Sequence, residues 1–150
     1  MPNWCQNRLL VIGSESEVQR FLADNKSKES ELDFGRAVPL LDENDWYNWC
    51  IEHWGTKWNA AEVKFGDPAI IWWQENDKTA ELYQFDTAWG PPGAWFTTMC
   101  KEWPELELRL YYAELGGDFS GSIIWSEGQT TESGSLSLNE LLSLDFGCYF

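Results

Sequence analysis

Positive charge is what this sequence has least of. Ten Lys and Arg stand against 25 Asp and Glu, giving a formal net charge of −15 and a pI near 4.2. That balance argues against nonspecific binding to nucleic acid or to an anionic membrane, since both need a cationic face that releases counterions. Arg109 is the last base, and the acids beyond it (Glu114, Asp118, Glu127, Glu132, Glu140, Asp145) have no Lys or Arg among them. No apolar run approaches the roughly 20 residues of a membrane span. The start, Met1-Pro2-Asn3-Trp4-Cys5, has neither the basic opening nor the apolar stretch of a signal peptide, so a cytoplasmic protein is expected.

Catalytic signatures are missing as well. There is no phosphate-binding Gly loop, no G-x-G-x-x-G, no G-x-S-x-G, and His53 is the single histidine. The reading is therefore non-enzymatic, with no cofactor and no metal. Cys5, Cys50, Cys100 and Cys148 are spread along the chain without a C-x-x-C pair. Reduced thiols packed as small hydrophobes are the favoured reading, with two long-range disulfides as the extracellular alternative.

What the sequence has in excess is tryptophan, 11 residues in 150. With 43% hydrophobic and 23% charged residues, the chain can build its own core as one domain. Trp4 to Ile12 reads as a first strand, apolar on both alternating faces at Leu9-Leu10-Val11-Ile12. Ser14 with Glu17 forms a capping box for a helix burying Val18, Phe21 and Leu22. Residues 23–33 read as a polar, mobile connection.

Trp46, Trp49, Cys50, His53 and Trp54 fall on one face of a helix over 45–54, and Gly55 sits where a left-handed cap belongs. Ala69 to Trp73 reads as a buried strand, joined by a turn at Asn76-Asp77-Lys78 to a partner over Thr79–Asp86. A helix carrying Trp95, Phe96, Met99, Cys100 and Trp103 follows Pro91-Pro92 and stops at Pro104. Leu106, Leu108, Leu110 and Tyr112 alternate with wetter positions in a further strand, and Phe119–Ser126 alternates again after a Gly116-Gly117 turn. Residues 127–135 read as a floppy loop, and Ser137 with Glu140 opens a last short helix.

This order contains β-α-β-β-α-β and predicts an α+β, ferredoxin-like antiparallel sheet with two helices on one face. Residues 1–150 form a single domain, with a Trp-rich helical insert over about 26–68 and a C-terminal extension over about 127–150.

Three segments carry a family resemblance. They are Met1-Pro2-Asn3-Trp4-Cys5-Gln6-Asn7-Arg8-Leu9, the stretch from Asp45 through Trp54-Gly55-Thr56-Lys57-Trp58-Asn59-Ala60, and Phe85-Asp86-Thr87-Ala88-Trp89-Gly90-Pro91-Pro92. They resemble the YubB-type ferredoxin-like domain family of bacteriophages and conjugative plasmids, from residue 1 to about 125. The resemblance implies the ferredoxin-like fold and a mobile-element setting in a bacterial host cell. It transfers no activity and no catalytic residues.

Four candidate sites stand beside plainer readings. Trp54, Lys57, Trp58, Asp86 and Trp89 would form an aromatic pocket with two polar groups. The plainer and favoured reading lays Lys57 over a Trp face and pairs it with Asp86, locking the insert to the domain. Cys50 and His53 share a helical face and offer at most two metal ligands where zinc needs about four, so packing is favoured. Most tryptophans fall on buried faces, leaving two or three as anchors for a protein interface.

Last, Asp42, Glu43, Asp45, Glu102, Glu105, Glu107, Glu114 and Asp118 are the candidates for an acidic interface that mimics nucleic acid, against mere solvation. The leading expectation is an inhibitor that binds and blocks a basic, nucleic-acid-handling host defence protein, such as an anti-CRISPR or anti-restriction factor. The alternative is a small-ligand-binding module using the Trp/Lys/Asp pocket. No direct nucleic-acid or membrane partner is expected, and open sheet faces or edges leave room for a homodimer.

Overall fold

The computed structural model describes residues 3–65, 78–114, 116, 119–144 and 146. Its central strand, β1 (Trp4–Gly13), pairs antiparallel with β3 (Thr79–Ala88) on one side and β4 (Glu107–Glu114) on the other. Leu9 thus stands opposite both Tyr83 and Leu110. β2 (Ala61–Phe65) adds to the outer edge of β3, while β5 (Ser120–Ser126) and β6 (Gln129–Ser133) extend the sheet beyond β4. The order is β2-β3-β1-β4-β5-β6. Its first four strands have the arrangement of a ferredoxin-like sheet, with β1 between the two hairpin-derived neighbours. β2 begins inside the stretch expected as insert. The strand expected at Ala69–Trp73 lies outside the described residues.

Among the described residues, four helices lie on one face. α1 (Glu15–Asp24), α2 (Phe34–Ala37), α3 (Trp46–His53) and α4 (Gly93–Glu102) pack with Leu9, Val11, Tyr83, Phe85, Leu108 and Leu110 into the main core. α1 starts as its sequence requires, the Ser14 hydroxyl accepting from the Glu17 amide at 3.3 Å. Residues 23–33, expected to be mobile, are instead tied down. The Asn25 side chain donates to the Phe21 carbonyl, the Asp33 amide donates to the Asn25 carbonyl, and Leu32 is fully buried.

The opposite face is also covered. α5 (Leu138–Ser143) and its flanks set Leu136, Leu141, Leu144 and Phe146 over Leu10, Ile12, Leu82, Tyr111 and Ala113. This cover explains why β1 is apolar on both sides. It also corrects the expectation of a wetter face on β4, because Tyr111 and Ala113 are buried beneath it.

Arg8 fastens the cover, its Nε donating to the Leu144 carbonyl at 2.8 Å and its guanidinium lying 4.8 Å from the Phe146 ring centre. The helix carries a reciprocal capping box, in which Ser137 and Glu140 each accept from the other's amide. Residues 127–135 are not a floppy loop. Glu127 and Gly128, both at positive φ, turn β5 into β6.

If α5 belongs to the fold in this way, Leu141→Ala lowers stability by about 2–5 kcal/mol, read as a shifted midpoint in urea. A midpoint equal to wild type would mean that the C-terminal segment is a loose appendage.

Candidate functional site: an aromatic face around Lys57

The insert meets the sheet through a short run of backbone contacts. The Trp54 carbonyl accepts from the Trp95 amide at 3.2 Å, which docks the end of α3 on the first turn of α4. Gly55 follows at φ +83°, and a Cβ there would lie 2.9 Å from the amide nitrogens of both Gly93 and Ala94. Only glycine suits that approach. The buried Thr56 hydroxyl then donates to the Ala88 carbonyl at 2.8 Å. Asn59 closes the run, accepting from the Phe34 and Ala60 amides and donating to the Asp33 carboxylate.

Between these fixed points Lys57 reaches over three rings. Its Nζ lies 4.6 Å from the Trp58 centre, 4.9 Å from Trp89 and 5.9 Å from Tyr47. Each such contact contributes on the order of 0.5–1 kcal/mol at an exposed site. The rings continue outward, Tyr47 packing edge-on against both Trp46 and Trp89, and Trp58 tilting onto Trp4. Trp46, Tyr47, Trp58 and Trp89 are all 37–44% exposed, and Ile51, Leu40 and Leu41 are exposed on the same insert.

Trp89 is held there against its preference. Its φ is +72°, a left-handed conformation that a bulky side chain rarely adopts and that costs about 1–3 kcal/mol. The surroundings enforce it. The Trp89 amide donates to the Asn3 carbonyl, the Thr87 hydroxyl donates to the Gly90 carbonyl, and the buried Asn7 side chain donates to Thr87.

The expected pocket is only partly assembled. Lys57, Trp58 and Trp89 come together, but Trp54 is buried in the core, its indole nitrogen donating to the Val38 carbonyl. Asp86 shares its strand face with Leu82, on the side opposite α1 to α4. Burial raises its pKa; Glu62 adds to the rise, and Arg8 and Lys64 oppose it. The expected Lys57–Asp86 ion pair is absent among the described residues. Among the described residues Lys57 meets rings and not a carboxylate.

Tyr47 and Trp46 are the residues that sequence reading missed. Trp46 was expected on the buried helical face, but it stands in the first exposed turn of α3, beyond the reach of the core.

The acidic candidates divide. Asp42, Glu43 and Asp45 lie exposed just before Trp46 and, among the described residues, make no ion pair. Glu102 and Glu105 are exposed near the start of β4, at the other end of the sheet from Trp4 and Ala88. Glu107 is there too, half-buried, paired with Arg109 at 2.6 Å and accepting from the Ser126 hydroxyl. Glu114 corrects the expectation outright. It is 3% exposed, its carboxylate folded against Gly116. Asp118 lies outside the described residues.

Cys50 and His53 are engaged separately. The His53 ring stacks on Trp49 with centroids 4.4 Å apart, and its Nδ1 lies 2.9 Å from the Trp49 carbonyl, which can only accept. Burial raises the pKa of the Cys50 thiol and pushes that of Cys100 up to about 12.

A family model described as a ferredoxin-like domain in Api92-like protein matches residues 70–141. The domain is ferredoxin-like. The match takes in β3, α4, β4, β5 and β6 and reaches α5, past the residue near 125 where the resemblance in motifs stops. Trp89 falls inside it, whereas Tyr47, Lys57 and Trp58 come from the chain before it. Neither a curated protein nor a solved structure matches the chain.

Two substitutions separate anchoring from display. Gly55→Ala, strained in φ and driven into two backbone amides, sharply lowers the melting temperature. Trp89→Gly relieves the left-handed strain and leaves the melting temperature unchanged or raised. A large loss in Trp89→Gly would make that ring a folding element instead. Iodoacetamide at neutral pH leaves Cys5, Cys50 and Cys100 unlabelled in the native protein and labels them after unfolding, as peptide mass mapping reads.

Proposed function

We propose that this protein is a non-enzymatic acidic binding module that docks on a basic surface of another protein through its aromatic face. One observation carries the reading: four half-exposed rings (Trp46, Tyr47, Trp58, Trp89) gather around Lys57, and the first two follow directly in the sequence on exposed Asp42, Glu43 and Asp45, which make no ion pair among the described residues. Tryptophan and tyrosine are the favoured anchors of protein interfaces, and unpaired carboxylates around them steer a basic partner and speed its arrival. The net charge of −15 extends that attraction over the whole molecule.

The resemblance to proteins of phages and conjugative plasmids supports a partner of one kind, a nucleic-acid-handling host defence factor. Blocking its basic groove would make the protein an anti-defence inhibitor of the anti-CRISPR or anti-restriction type. The small-ligand reading has less to stand on, since Lys57 already fills the space between the rings and Asp86 lies away from it.

Capture from a bacterial host lysate at low ionic strength, followed by nucleic-acid competition on the captured protein, tests the proposal. The expected partner binds wild type and gives up its nucleic acid. Its affinity falls about tenfold or more as salt rises from about 50 to about 300 mM. It is lost in a Trp46→Ala/Trp89→Gly variant, and its association slows in Asp42→Asn/Glu43→Gln/Asp45→Asn. A partner indifferent to both variants, or no partner at low salt, overturns the reading.

A further inference from the structure

We propose that the Tyr47–Trp58–Trp89 cage is an exchangeable cation site, which an arginine of the docked partner enters while Lys57 swings out into solvent. The inference rests on the docking reading and names the contact at its centre.

The walls and the occupant differ in how firmly they are held. Thr56 is pinned to the Ala88 carbonyl, Gly55 abuts the first turn of α4, and the Trp89 amide is bonded to Asn3. The backbone that carries Trp58 and Trp89 is therefore fixed without help from Lys57. Lys57 has only its flexible four-carbon stem and, among the described residues, no ion pair to keep it in. Its ammonium stands 4.6 to 5.9 Å from three ring centres, within the range where a ring attracts a cation.

Hydration sets the direction of exchange. A lysine ammonium is compact and strongly hydrated, so it regains most in water when it leaves. A guanidinium is planar, more weakly hydrated, and stacks on aromatic faces, so it loses little on entering. The rings are exposed enough for an incoming side chain to reach them, and Asp42, Glu43 and Asp45 raise the local concentration of cations. In the free protein Lys57 serves as a plug, covering three rings that would otherwise present an open apolar surface.

Tryptophan fluorescence titration with N-acetyl-arginine amide tests the exchange, with sodium chloride as the ionic-strength control. Lys57→Ala, its cage emptied, is expected to bind the probe at least tenfold more tightly than wild type, and Lys57→Ala/Trp89→Gly loses that gain. A folded Lys57→Ala that responds no better than wild type overturns the proposal. Wild type supplies a second readout that needs no variant. The Lys57 ε-methylene protons are expected upfield in the free protein, over the rings, and to move toward their solvent values as the probe saturates. If they stay where they are, the cation does not enter.

Tetramethylammonium chloride separates guanidinium recognition from a general preference for organic cations. Binding to Lys57→Ala as tight as that of the arginine probe removes arginine as the favoured occupant. If the partner is lost in Trp46→Ala but binds Lys57→Ala with unchanged affinity, and no probe enters the cage, docking stands and exchange falls.

Discussion

The approach of Gly55 to the first turn of α4 is the constraint on which the functional end of the molecule depends. Two backbone amides stand where a side chain would be, so the chain can leave α3 only through a residue without one. That contact fixes where Thr56 meets the Ala88 carbonyl, and hence where Lys57 and Trp58 emerge. Asn59 then ties the return of the insert to Asp33 and Phe34. The insert is thus sewn to the sheet by backbone and buried polar groups. Its exposed aromatic residues are left out of the task of holding it.

The molecule also separates two uses of tryptophan. Trp54, Trp95 and Trp103 are buried among Phe21, Phe34 and Phe85, where large rings fill the space between sheet and helices. Trp46, Trp58 and Trp89 stay half in water, and Trp89 does so in a backbone conformation that disfavours it. Strain of that kind persists only where the surroundings impose it, here through the Asn7–Thr87–Gly90 hydrogen bonds. Negative charge is sorted as well. Some carboxylates are absorbed into the fold, Glu107 by Arg109 and Glu114 by burial, while Asp42, Glu43 and Asp45 are left outside beside the rings.

Much of the framework was legible because its signals are local. The apolar run of β1, the alternation in β4, the Ser14 cap, the stripe of α4 and the turn at Gly55 each follow from a few adjacent residues. β6 escaped notice because all five of its residues are exposed, so no apolar period marks it; only the turn at Glu127-Gly128 between polar β-formers hinted at a hairpin. The wetter side of β4 was misread for a related reason. Tyr111 and Ala113 are buried by Leu141 and Phe146, some 30 residues further on, and no local pattern reports a cover supplied from so far away.

Composition and spacing by themselves determined an acidic, tryptophan-rich α+β chain, the ferredoxin-like order of its elements, and a left-handed cap at Gly55. Only the tertiary structure decided which tryptophans face water, which acids remain unpaired, and that Lys57 lies among Tyr47, Trp58 and Trp89 and not against Asp86. Those three rings come from a helix, a loop and the end of a strand, and Asp86 is turned aside by the two-residue period of that same strand. Contacts between separate segments depend on how the elements pack, and packing is a property of the whole chain.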